Sequence, residues 1–352
     1  MLGPWSLNAY LAASFTAVSI LLTIILTAII GQATSAQVRR GIGANLAELA
    51  HQTTSRLDRS LFERYREVGL LAHRLQAEPA GNRVAAELDA VQSSYKYYAW
   101  IGVTDAAGRV RMASGNLLVG QDVSQRPWFI QAMKGAYLGD VHEAVLLAKL
   151  LPKTAEGEPQ RFYDVAYPLV GVAGVTGVLG AHISWDWAKD VRAVIFNPSG
   201  NESGFEPLIV AGDGTVLLGP GNTERQTLAL ESIRRAQAGE TGSVIETWPD
   251  GKAYLVGFSK TRGYENAPTL GWTVLVRQHL TEAYAPVRAL QWRVGAAGLA
   301  IALLFSVLGW WIARAIARPL QALTASARTI SSGDAPLYAG PAAPYPELGE
   351  LT

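Results

Sequence analysis

The sequence predicts an α+β fold: two antiparallel sheet modules on a long N-terminal helix, flanked by two membrane-crossing helices. Three observations predict it. Residues 1–38 carry no charged side chain. A second uncharged run lies between Arg293 and Arg314, and its length of about 20 residues matches a hydrocarbon core of roughly 30 Å at about 1.5 Å per helical residue. Between the two runs, short β-branched and aromatic stretches alternate with Asp, Gly and Pro turns, the pattern of antiparallel strands.

The 352 residues exceed one ordinary domain and can bury a substantial core outside any membrane. A net charge of +1, with 17% charged residues, gives no footprint for nucleic acid and no acidic tail. With no cysteine, disulfides, thiolate catalysis and cysteine-bound metals are excluded.

Residues 11–30 form the first expected span, within a first segment of 1–36. It reads as a retained anchor, being longer than a signal-peptide core and lacking a basic leader. Arg39 and Arg40 at its outer end run against the positive-inside rule. Arg314 and Arg318 at the inner end of the second span outweigh them, since long domains translocate largely regardless of charge. Both termini are then expected inside the bacterial inner membrane, with residues 37–292 outside and 293–314 as the second span. Ile42, Leu46, Leu49, Leu57, Leu61, Tyr65, Val68, Ala72 and Leu75 recur mostly at three or four residues, which predicts one amphipathic helix over 38–78. Pro79, Gly81 and Asn82 end it, and a short helix is expected at 84–94.

Strands are expected at 97–104, 110–113, 138–147, 162–170 and 175–185, followed by a helix at 186–196. This is the first module, 95–196. The second, 205–280, repeats the layout without repeating the sequence. Its strands are expected at 207–211, 216–218, 242–248, 253–259 and 271–278, with a helix at 227–238. A helix over 281–293 leads into the second span. Beyond that span, Leu320, Leu323, Ala327 and Ile330 make an apolar seam on a helix that Pro319 opens and Gly333-Asp334 closes.

Residues 317–334, ARPLQALTASARTISSGD, resemble the first helix of a HAMP linker, the dimeric coiled-coil relay of bacterial receptors, and Glu347-Leu348-Gly349-Glu350-Leu351 resembles the start of its second helix. The resemblance implies a partial linker over 315–352, a homodimer, and a cytoplasmic effector beyond Thr352. The segment 40–290 resembles the double Cache receptors of bacteria on three stretches: GQDVSQRPWF at 120–129, GVLGAHIS at 177–184 and GWTVLVRQ at 271–278. That resemblance implies two PAS-like modules, with the small-molecule ligand in the membrane-distal one. The region 182–187 is further similar to Cache proteins joined to diguanylate cyclases, which favours that effector over a histidine kinase or a chemoreceptor stalk.

Arg126, Trp128 and Phe129 carry the binding expectation. A guanidinium grips a carboxylate with two parallel hydrogen bonds, and an indole two residues on can cover the ligand. The amino-acid-binding subset of these receptors is similar in its Arg-x-Trp-aromatic core but has Tyr at the positions of Phe129 and Gln121, an amine-binding Asp at that of His182, and a further Tyr within 144–147. Neutral imidazole is a poor partner for an amine, so a carboxylate-bearing ligand other than an ordinary amino acid is expected. His182 shares a strand face with Gly180 and Ser184, where it lines the pocket or serves as a structural histidine; both readings stay open. Asp140, His142 and Tyr163 are further pocket candidates. Neighbouring His142 and Glu143 lack the spacing of a helical metal pair, and no metal or cofactor is expected. No nucleophile elbow or P-loop occurs, so no catalysis is expected. The competing function classes are a membrane-tethered binding or assembly protein without signalling output and, last, an extracytoplasmic enzyme.

Overall fold

The computed structural model describes residues 7–77, 81–144, 147, 150, 151, 160–196 and 204–331. The chain divides into two compact units, Arg40–Ala283 and a second made of Met1–Arg39 with Tyr284–Thr352.

Helix α1, Leu7–Ala77, runs unbroken through the expected first span and the amphipathic helix behind it. Helix α2 is Gly81–Ser94. The first module then lays down β1 Tyr98–Thr104, β2 Val110–Ala113, α3 Pro127–Ala132, β3 Tyr137–Glu143, β4 Arg161–Gly171, β5 Gly174–Ser184 and α4 Asp186–Phe196. The second contributes β6 Glu206–Val210, β7 Val216–Leu218, α5 Glu231–Gln237, β8 Gly242–Thr247, β9 Ala253–Lys260 and β10 Thr273–His279. Helices α6, Leu280–Ala283, and α7, Ala285–Ser331, follow.

Both sheets are antiparallel with five strands, ordered β2-β1-β5-β4-β3 and β7-β6-β10-β9-β8. Renumbered from its own first strand, the second order is the same as the first, so the repeat in layout is a repeat in topology. Each module turns from its first strand to its second on an aspartate that caps the loop. Asp105 accepts from the N–H groups of Ala107 and Arg109 at 3.0 and 2.9 Å, and Asp213 accepts from that of Thr215 at 2.9 Å.

One face of each sheet rests on α1. A Cβ at Gly257 would stand 2.1 Å from the carbonyl carbon of Leu46, so only glycine lets the α1 backbone lie on β9. Tyr65 of α1 meets Tyr167 of β4 ring to ring at 5.1 Å, and Gln76 donates to the Pro168 carbonyl at 3.0 Å. The opposite faces carry the two cores. In the first, Trp100, Trp128, Phe129 and Phe162 pack together; in the second, Trp248, Tyr254, Phe258 and Leu275. The modules are clamped to each other by Arg161, which donates to the Leu217 carbonyl at 2.6 Å and pairs with Glu224 at 2.5 Å, and by the edge-to-face rings of Trp185 and Trp272 at 5.1 Å.

The other unit holds two helical stretches long and apolar enough to cross a membrane, one in α1 and one over Ala285–Ile312. Leu21, Ile24, Ile29, Leu303, Leu304 and Val307 are exposed there. Gln291 donates to Ser35 Oγ at 2.9 Å, and Arg39 lies 5.1 Å over the Tyr284 ring.

Several expectations need correction. Strand β3 stops at Glu143 instead of running to 147. Helix α5 starts at Glu231, four residues later than expected, because Thr227 is held in a bridge with Thr215. Helix α7 passes through Pro319 without a break, so this proline lies inside a helix rather than opening one. Loss of one N–H bond is offset along a helix of this length. Gly333-Asp334 and residues 347–351 lie outside the described residues.

Candidate ligand pocket

The first module contains a cavity of about 320 Å³ on the sheet face away from α1, between that sheet and the loop and helix that follow β2. Its mouth and floor come from Arg126, Trp128 and Tyr137, and its polar wall from Asp140, His142, Asp164 and His182.

Helix α3 begins immediately after Arg126, with Pro127 in its first position, where the missing N–H costs nothing. This start sets Arg126 in extended geometry at the mouth. Among the described residues no carboxylate pairs with its guanidinium, which lies exposed. Trp128, the second residue of this helix, folds over the sheet at Gly180, where a Cβ would stand 2.6 Å from the ring. Phe129 sits behind it in the core, edge-on to Trp128 at 6.1 Å, and does not line the cavity.

The polar wall is built by cross-strand pairing. Asp164 lies opposite His182 on β4 and β5 and opposite Gly139 on β3. The register of β3 then shifts, and His142 rather than residue 141 faces Phe162. One extra residue in a strand is a β-bulge, and here it re-aims the chain so that His142 takes the face shared by Asp164 and His182. His182 Nδ1 stands 2.5 Å from Asp164 Oδ1, both residues being buried at 6% and 5% exposure. His142 Nε2 stands 3.5 Å from the other oxygen of Asp164, and His142 Nδ1 meets the Asp140 carbonyl at 3.1 Å. Trp100 and Trp128 enclose the His182 ring at 5.3 and 5.9 Å. Burial, followed by the charges of Asp164 and Asp140, pushes the Tyr137 phenol up.

Asp140 has a second attachment, accepting a hydrogen bond from Trp272 Nε1 in the other module at 2.8 Å. Tyr163 does not reach the pocket. One residue out of phase with Asp164, it faces the α1 side, stacks on Trp187 at 5.7 Å and is fully buried with its hydroxyl unpartnered. Burial holds that phenol far above its usual value. Alternation along β4 was a sufficient signal for placing it there.

Sequence reasoning missed Asp164. The carboxylate that the amino-acid-binding subset carries at the position of His182 stands here on the neighbouring strand, opposite it. It also considered metal pairs only among chain neighbours, whereas His142, Asp164 and His182 each offer a ligand atom within 4.8 Å of the others.

Residues 34–287 match the Cache domain in its dCache form, most of the chain. The chain belongs to the Cache domain family. Its fold is similar to the ligand-binding domain of the Pseudomonas fluorescens chemoreceptor CtaA, solved with L-isoleucine (TM-score 0.54, 17% identity, 72% of this chain and 98% of that one). It is similar also to the extracellular domain of the putative histidine kinase rpHK1S-Z16 (TM-score 0.51, 15% identity, 69% and 96%). Against the extracellular ligand binding receptor from Desulfohalobium retbaense, the match has a TM-score of 0.48 at 16% identity and covers 66% of this chain but only 40% of that one. No curated protein matches the sequence. The Cache assignment makes residues 34–287 an extracellular ligand-binding sensor domain of the receptor type.

Proposed function

We propose that this Cache protein is a two-pass, homodimeric transmembrane receptor. Its pocket in the first module takes a small carboxylate-bearing molecule, with Arg126 gripping the carboxylate and Trp128 covering it. One observation carries this reading: the exposed Arg126 guanidinium, paired with no carboxylate among the described residues, lines a 320 Å³ cavity together with the buried Asp164 and His182. The receptors solved with amino acids, such as CtaA with L-isoleucine, support the ligand size class. The pocket does hold a carboxylate, Asp164, but it is already engaged by the His182 imidazole at 2.5 Å rather than free for an amine, which favours a ligand other than an ordinary amino acid.

Ligand binding biases two states of the sensor only through its unequal affinity for them. Asp140 is a direct physical link out of the pocket, since it lines the cavity and holds Trp272 at the start of β10. Strand β10 continues into α6 and α7, the second apolar helix. From there the reading follows the likeness to a HAMP linker and a cytoplasmic output, a diguanylate cyclase being favoured over a histidine kinase or chemoreceptor stalk. The second copy is placed against the α1 surface where Leu70 is exposed among Glu63, Arg66 and Arg74.

The test is a thermal-shift screen of small carboxylates on the purified chain. Stabilisation by a carboxylate is expected for the wild type and is expected to vanish in Arg126→Ala; equal stabilisation of the variant removes Arg126 from the site.

A further inference from the structure

The cluster on the pocket's polar wall has a chemistry that carboxylate recognition does not use. His142 Nδ1 lies 3.1 Å from a backbone carbonyl, which can only accept, so this nitrogen carries the hydrogen. In a neutral ring Nε2 is then a bare lone pair, and it points at Asp164 Oδ2 from 3.5 Å. Two lone pairs facing one another repel unless a proton or a metal ion lies between them. At the other oxygen of the same carboxylate, His182 Nδ1 is 2.5 Å from Oδ1. Two imidazoles thus meet one buried carboxylate, each at a different oxygen, with their rings 6.0 Å apart.

We propose that His142, Asp164 and His182 bind a divalent transition-metal ion of the zinc, nickel or copper class in this pocket. Two imidazoles and a carboxylate suit these borderline cations and are a poor set for magnesium or calcium, which take oxygen donors. Three protein ligands with a fourth position open to a cavity is the pattern of exchangeable sites, whereas closed structural sites use four. The hydrogen bond from His142 to the Asp140 carbonyl is the outer support that metal-bound histidines use to fix their tautomer and ring plane.

The distances nearly meet the requirement. Ligand atoms at about 2.0–2.1 Å around a tetrahedral ion stand roughly 3.3 Å apart. The His142–Asp164 edge is 3.5 Å, already at that spacing, while the His142–His182 edge, at up to 4.8 Å, must close by up to roughly 1.5 Å. The His182–Asp164 edge of 2.5 Å must open by under roughly 1 Å as the ion replaces the proton held there. The inference rests on the proposed pocket, because the open fourth position faces the cavity that Arg126 also lines, where a carboxylate can complete the coordination.

The test uses the full chain in detergent, stripped with a chelator and titrated with Co²⁺, whose visible absorption reports coordination, then with Zn²⁺ in competition. One equivalent is expected, with affinity falling at least roughly tenfold in His142→Ala and Asp164→Asn and unchanged in His51→Ala. His142 is 39% exposed, so its replacement leaves the core intact. Uptake without saturation at one equivalent, or binding by His142→Ala equal to wild type, overturns the site. The carboxylate screen is run in parallel in excess chelator. Stabilisation that depends on Arg126 without any metal uptake leaves the pocket and discards the ion. Metal uptake that depends on His142 while Arg126→Ala changes nothing in the screen does the reverse.

Discussion

Gly180 is the position on which the pocket's shape turns, and Gly180→Ala is the sharpest test of it. The added Cβ would stand 2.6 Å from Trp128 Cζ3 and 3.0 Å from Cε3 and Cη2. Carbon atoms settle at about 3.5–4.0 Å, so the indole must retreat by about 1 Å. It cannot slide along the sheet, because Trp100 and Phe129 hold it at 5.9 and 6.1 Å. Overpacking of this kind costs about 1–3 kcal/mol, which in a unit of this size lowers Tm by about 2–12 °C. The retreat pushes Trp128 into the cavity, so affinity for any stabilising carboxylate falls as well. Thermal unfolding followed by circular dichroism, with and without ligand, measures both. Gly135→Ala is the control, since a Cβ there meets nothing within 4 Å. A smaller ring should relieve the clash, so Trp128→Phe is expected to cost less in the Gly180→Ala background than alone. A Gly180→Ala protein with wild-type Tm and ligand response, or strict additivity in that double-mutant cycle, refutes the packing argument.

Other consequences follow from single contacts. Tyr163→Phe removes a buried hydroxyl with no partner, and is expected to be neutral or to stabilise by up to about 1 kcal/mol in denaturant unfolding while leaving ligand affinity unchanged; a weakened ligand response would return this residue to the pocket. Asp58 is buried in α1, with Oδ2 accepting from the Arg262 N–H at 2.8 Å and Oδ1 unpartnered, and burial raises its pKa above 3.8. The folded state therefore holds this proton more tightly than the unfolded one, so its contribution is present below 3.8 and is lost as pH rises toward the raised folded value. Asp58→Asn keeps the acceptor and is expected to gain stability over wild type across that window; a gap that is flat or shrinks with rising pH sinks the assignment. Trp272→Phe deletes the donor to Asp140 but keeps most of the ring, so ligand affinity should change less than about threefold, or about 0.7 kcal/mol, while the output of the full receptor falls; an unchanged output would break the proposed route between modules.

Strand and helix placement was legible because two periods dominate this chain. Alternation placed β1, β4 and β5 within a residue or two, and the three-to-four spacing placed α1 from 38 onward. What failed was local or lateral. Helix α3 has six residues, too few for a period, although Pro127 at its first position marked its start. The bulge at 140–141 has no signature in a single strand's pattern, and it is the bulge that turns His142 toward the pocket. Asp164 was passed over because its role comes from its partner across the sheet, and registers between strands are not written in either strand alone. Tyr163 was misplaced for the opposite reason: its aromatic ring drew notice, while its phase on β4 already put it on the helix side.

The two modules show why the first is the one proposed to take a ligand. They share a strand order and rest the same face on α1, so the opposite faces are comparable surfaces. In the second module that face is filled by its own side chains. The Arg277 guanidinium stacks on Trp248 and Tyr254 at 4.1 and 4.3 Å and pairs with Glu206 at 2.6 Å, so its charge and its flat faces are both satisfied internally. In the first module the aromatic wall of Trp100 and Trp128 is present, but Arg126 stands at the rim with no carboxylate among the described residues. A cation next to an aromatic wall is the same physical device in both places; in one it is closed by Glu206 and in the other it is left for an anion from outside. Asp140 on the cavity wall accepts a hydrogen bond from Trp272, next to the strand that carries Arg277, so one hydrogen bond joins the wall of the open site to the strand of the closed one.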